Sequence, residues 1–104
     1  MKTINLKDIQ SIDGTPCKVV YNTGCGCYEV DVDCLDSRQN LNYIIGKICK
    51  TDKETFTIGP ADELLFDDGR VAEIIRYGFA SYGIKFEDET YDDIECLPAS
   101  FKIM

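Results

Sequence analysis

The chain has 104 residues, 44% of them hydrophobic, with 19 acids against 11 bases and no histidine, for a formal charge of −8. That length suits one compact domain spanning 1–104, and the apolar content is too high for a disordered chain. The missing histidine removes the commonest acid–base group at neutral pH, so a non-enzymatic protein is expected, while the negative charge disfavours nucleic acid and anionic membrane as direct partners.

The amino terminus, "MKTINLKDIQ", lacks the apolar stretch and cleavage site of a signal peptide. No apolar run approaches the roughly 18 residues of a membrane helix. A cytoplasmic protein is therefore expected, its six cysteines held as thiols in a reducing compartment.

Strand signals begin at "CKVVYN" (17–22) and continue in "CYEVDVDCL" (27–35). In the second segment Tyr28, Val30, Val32 and Cys34 alternate with Cys27, Glu29, Asp31 and Asp33, the period of a strand with two different faces. The glycines of "TGCG" between them suit a hairpin turn. After a loop at 36–41, "NYIIGKICKTDKETFTIG" (42–59) has β-rich arms around "TDKE" and reads as a second hairpin. In "FDDGRVAEIIRYGFASYG" (66–83), Val71, Ile74, Ile75, Phe79 and Tyr82 recur at intervals of three and four. This spacing predicts an amphipathic helix, with Asp67 or Asp68 as its amino cap and Gly83 as its terminator. "IKFEDE" (84–89) and "SFKIM" (100–104) complete the list as strands. The expected fold class is α+β, a small antiparallel sheet of two or more hairpins with one main amphipathic helix packed on it.

Two clusters could carry chemistry. Cys34, Cys17 and Cys49 fall in strand arms and are expected to act as small buried hydrophobes. Cys25 and Cys27, at the loop-to-strand corner, are the thiols free to react. A structural zinc would need four ligands, drawn here from Cys17, Cys25, Cys27 and Cys49, yet no C-x-x-C pair marks such a site. A redox role for "CGC" meets two obstacles. The disulfide would close a very small ring, and the neighbouring Glu29, Asp31 and Asp33 would raise the thiol pKa. No cofactor is expected, with zinc as the alternative.

The acids are unevenly placed. Residues 1–60 hold 8 acids against 7 bases, and residues 61–104 hold 11 against 4. The densest stretch, "KFEDETYDDIE" (85–95), interleaves six acids with Tyr91 and Ile94. Like charges so close repel and cost stability, so a role beyond solubility is expected for them, with the apolar pair as anchors. Phosphate-binding fingerprints and basic–aromatic stacking platforms are absent from the sequence.

The segment "IIGKICKTDKETFTIG" resembles the glycine-kinked hairpin of small SH3-like barrels. In size, charge and lack of a catalytic set, the chain is similar in kind to the small acidic inhibitors of phages and mobile elements, including anti-CRISPR proteins. That likeness implies a protein that blocks a basic, nucleic-acid-handling partner. The expected contacts are Glu87, Asp88, Glu89, Tyr91, Asp92, Asp93 and Glu95, with Glu29, Asp31 and Asp33 as a second patch. The first alternative is a small-ligand or zinc-binding module, monomeric or homo-oligomeric, built on the Cys25/Cys27 turn. The second is a thiol oxidoreductase.

Overall fold

Alternating side chains and glycine turns organise nearly the whole chain, as a computed structural model covering residues 2–79, 81–93 and 96–103 shows. Eleven strands are described: β1 (Lys2–Asn5), β2 (Ser11–Ile12), β3 (Thr15–Asn22), β4 (Cys27–Val32), β5 (Ile48–Lys50), β6 (Thr55–Thr57), β7 (Glu63–Leu65), β8 (Val71–Tyr77), β9 (Ser81–Phe86), β10 (Tyr91–Asp93) and β11 (Ser100–Ile103). They form two antiparallel sheets, ordered β1-β11-β7-β8-β9-β10 and β4-β3-β2-β5-β6.

The expected helix is absent from the described residues, and the fold is mostly β rather than α+β. Residues 71–77 and 81–86 are instead two strands of one hairpin, paired from Ala72↔Phe86 to Tyr77↔Ser81. The apolar residues at helical spacing fit a strand equally well. Ala72 and Ile74 point inward and are buried, while Val71 and Ile75 lie on the other face. Valine and isoleucine are stiff at χ1 and favour the pleated geometry. Gly78 supplies a left-handed residue, φ +71°, at the hairpin turn. Gly83 terminates nothing and lies inside β9, opposite Ile75. Asp68 caps no helix either: its carboxylate accepts from the Arg70 amide within the β7–β8 turn.

Both expected hairpins are present in part. β3 and β4 pair from Cys17↔Val32 to Asn22↔Cys27, with Gly26 at φ +70° in the connection. β5 and β6 pair from Ile48↔Thr57 to Lys50↔Thr55, turning through 51–54. Upstream of them, Leu41–Ile44 is a single helical turn rather than a strand arm. Asn40 caps it, its side chain accepting from the Asn42 amide at 3.1 Å.

Inward residues of both sheets share one buried cluster. Ile4, Phe101, Leu64 and Ala72 lie in a cross-strand row of the six-stranded sheet. Ile12, Cys49 and Phe56 form the matching row in the other. All seven are buried, Phe101, Leu64, Ile12 and Cys49 completely. Each large aliphatic or aromatic side chain so placed contributes about 1.5–3 kcal/mol of transfer free energy. None of the helices described is long and apolar enough to cross a membrane.

Candidate functional site

The register of the six-stranded sheet decides what its outer face carries. Lys102, Glu63, Glu73, Lys85 and Tyr91 form one row across β11, β7, β8, β9 and β10. Two residues along the same strands, Ile75, Gly83 and Asp93 form the next row. Side chains two apart share a face, so these rows are neighbours on the outer surface. Acids and apolar groups therefore meet there although they are distant in sequence.

Gly83 shapes this face. It leaves space that the Tyr77 ring fills: a Cβ at position 83 would come within 2.8 Å of Tyr77 Cδ1 and 2.9 Å of its Cζ. From there the Tyr77 hydroxyl reaches on to donate a hydrogen bond to the Asp93 carboxylate. That bond pushes the tyrosine pKa above its ordinary value, because a neighbouring carboxylate favours the neutral phenol. Ile75, Tyr77 and Tyr91, with Asp92 and Asp93, line an open groove of about 420 Å³. Tyr91 is 64% exposed, and Phe79, at the β8–β9 turn, is fully exposed. Beside this groove lies a second, of about 200 Å³, lined by Glu63, Glu73, Glu87 and Glu89 around Lys85. Lys85 pairs with Glu89 at 2.9 Å, and this contact raises the lysine pKa.

The residues of the expected contact set and of its second patch occupy three positions. Tyr91, Asp92 and Asp93 occupy the edge strand β10. Glu87, Asp88 and Glu89 lie in the turn before it, where Asp88 accepts from the Thr90 amide and hydroxyl. These bonds hold the Asp88 carboxyl below its usual range. Asp88 and Glu87 also meet Asp68 across a shared depression, so Asp68 joins this side. Glu29 and Asp31 stand on β4 of the other sheet, with Asp33 just beyond its end, and Glu29 is paired with Arg38 at 3.5 Å. Glu95 and Ile94 lie outside the described residues. Ile75, Tyr77, Phe79 and Glu73 were missed because a helix over 66–83 puts Ile75 and Phe79 on its apolar stripe and Tyr77 and Glu73 off it, while Glu63 lies upstream of that segment. The exposed aromatic residues within a predicted amphipathic element were the one available signal.

The cysteines also sort differently from expectation. Cys49 is fully buried, and burial pushes its thiol up to about 12. Cys17 is half-buried. Cys34 is not a buried strand residue: β4 ends at Val32, and Cys34 is exposed at φ +65°. The four cysteines considered for zinc do not converge. Cys17 is five residues along β3 from Asn22, the partner of Cys27, a separation of about 17 Å. Among the described residues, no three or more Cys, Asp or Glu side chains are arranged to hold a metal ion.

Cys27 meets a different cysteine. An isolated antiparallel bridge joins Tyr28 to Leu97, setting the preceding residue of each, Cys27 and Cys96, on the opposite face from the bridged pair. Their sulfurs are 3.2 Å apart. The pair lies in the wall of a cavity of about 250 Å³, along with Tyr28, Asp67 and Arg70. The Tyr28 hydroxyl donates to Asp67 at 2.7 Å, and the Arg70 guanidinium lies 5.2 and 4.9 Å from the ring centroids of Phe66 and Phe86. The hydrogen bond with Cys96 raises the Cys27 pKa, and partial desolvation heads the causes that raise that of Cys25. Both shifts run opposite to those of an activated thiol.

No family model, curated protein or solved structure matches this chain.

Proposed function

We propose that this is a non-enzymatic binding protein that docks on a basic surface of a protein partner and blocks it, a nucleic-acid-handling protein being the fitting class. The observation that carries this reading is the groove over Gly83. Its Ile75, Tyr77 and Tyr91 floor adjoins carboxylates on two sides. An apolar slot flanked by acids suits a lysine or arginine side chain, whose methylene stem packs on aromatic rings while its charge meets the carboxylates. Of the six large exposed hydrophobic residues among those described, Tyr77, Phe79 and Tyr91 fall on the β8–β10 side, where they would serve as anchors. The net charge of −8 would speed encounter with a cationic partner.

The test is amide chemical-shift mapping with short synthetic peptides rich in lysine and arginine, each with one aromatic or aliphatic residue, against matched acidic peptides. Perturbations concentrated at Ile75, Tyr77, Gly83, Tyr91 and Asp93, fading as salt is added and lost in Tyr91→Ala, are expected. Perturbations no larger there than on the five-stranded sheet would overturn the proposal.

A further inference from the structure

Cys27 and Cys96 are separated by 69 positions, yet their thiols touch at 3.2 Å. Cys27 belongs to the edge strand of the five-stranded sheet, and Cys96 precedes β11, which lies inside the six-stranded one. Cys96 is exposed and Cys27 is partly so, so a small reagent can reach both. The Tyr28–Leu97 bridge holds the two backbones together. The sulfurs need approach by only about 1.2 Å to reach the ~2.0 Å of a disulfide.

We infer that Cys27 and Cys96 are a modification site, forming a reversible disulfide that ties the two sheets together at the wall of their shared cavity. The oxidant is a small disulfide of the oxidised-glutathione class. The Cys27 thiolate attacks one sulfur of that disulfide, breaking its S–S bond and releasing one thiol. The Cys96 thiolate then attacks the Cys27 sulfur of the mixed disulfide, forming Cys27–Cys96 and releasing the second thiol. The two protons lost by the cysteines end on the two released thiols. The cysteines are oxidised by two electrons, and the small disulfide is reduced by the same two. Excess reduced thiol reverses both steps.

Cys25 is the competing partner, since its thiol also interacts with that of Cys27. A Cys25–Cys27 bond would span a single glycine, however, and strains ordinary disulfide geometry.

The experiment treats the folded, reduced full chain with oxidised glutathione, traps free thiols by alkylation and reads the intact mass and the cross-linked peptides. A product carrying two fewer alkyl groups than the fully reduced chain, with residues 27 and 96 joined, is expected in the native chain and in Cys25→Ser. It should be absent from Cys27→Ser and Cys96→Ser. Peptide mapping of the native chain keeps the test decisive should a serine variant fail to fold. A cross-link between Cys25 and Cys27, or a product carrying only bound glutathione, would overturn the inference.

Discussion

The Tyr77 ring lies over Gly83, two of its carbons within 2.8 and 2.9 Å of where a side chain at that glycine would begin. The two residues are diagonal neighbours on β8 and β9, since Tyr77 pairs with Ser81 and Ile75 with Gly83. Glycine inside a strand weakens it, and an aromatic ring laid across the gap restores the lost packing. Here the same ring becomes the floor of the groove.

Gly83→Ala should therefore displace Tyr77 and break its bond to Asp93. The expected cost is about 1–3 kcal/mol, the usual penalty for overpacking. Combining it with Tyr77→Ala should recover part of that loss, because the alanine methyl then meets empty space. Urea unfolding of both single variants and the double variant checks this, and strictly additive costs would mean that the two side chains do not compete.

Closing the Cys27–Cys96 bond should stabilise the fold by up to about 4 kcal/mol, the loop-entropy gain for a closure of this length. Thermal unfolding of the oxidised and reduced chain measures it directly. The increment should vanish when a strong thiol reductant is added, and an unchanged midpoint would mean that bond strain offsets the entropy.

Cys49 predicts a weakness at high pH. Burial pushes its thiol up to about 12, against an unfolded value of about 8.5. The native state thus holds this proton more tightly than the unfolded chain does. Its contribution is complete below about pH 8.5 and is lost as pH rises towards 12. Stability measured by urea from about pH 8 to about pH 10.5 should fall less steeply in Cys49→Ala than in the native chain. Parallel slopes would show that other groups govern the alkaline limb.

Phe101 occupies the centre of the buried row, opposite Ile4 on one side and Leu64 on the other, with none of its surface exposed. Phe101→Ala should cost about 3–5 kcal/mol. Phe79→Ala, at a fully exposed turn position, should change stability by less than about 0.5 kcal/mol. The pair separates the two kinds of aromatic residue in this chain, and a comparable loss from both would contradict their placement.

Hairpin 17–35 was legible because its evidence is local: Val30 and Val32 alternate with Glu29 and Asp31 beside a glycine turn. The turn at 51–54 and the strand near the carboxyl end were legible for the same reason. The segment from 66 to 83 was not. Val71, Ile74 and Ile75 satisfy a helical stripe, and they equally satisfy a strand with apolar side chains on both faces. Only pairing with β7 and β9 distinguishes the two, and pairing is not a local property. Gly78 weighed against the helix and Gly83 suited its end; they proved to be a turn and a packing gap.

By itself, the sequence determined the charge and its concentration after residue 60, the lack of histidine chemistry, the apolar supply for a core and the positions of several turns. These are sums over residues or properties of a few adjacent ones. The tertiary structure alone decided which residues meet: Glu73 beside Lys85, Tyr77 over Gly83 and against Asp93, Cys27 against Cys96. Those contacts follow from strand order and register, which are set by burying Phe101, Leu64, Ile74, Ile12 and Cys49 together. A one-residue slip in any strand would send its side chains to the opposite face, so the composition of the surface groove is a consequence of how the core packs.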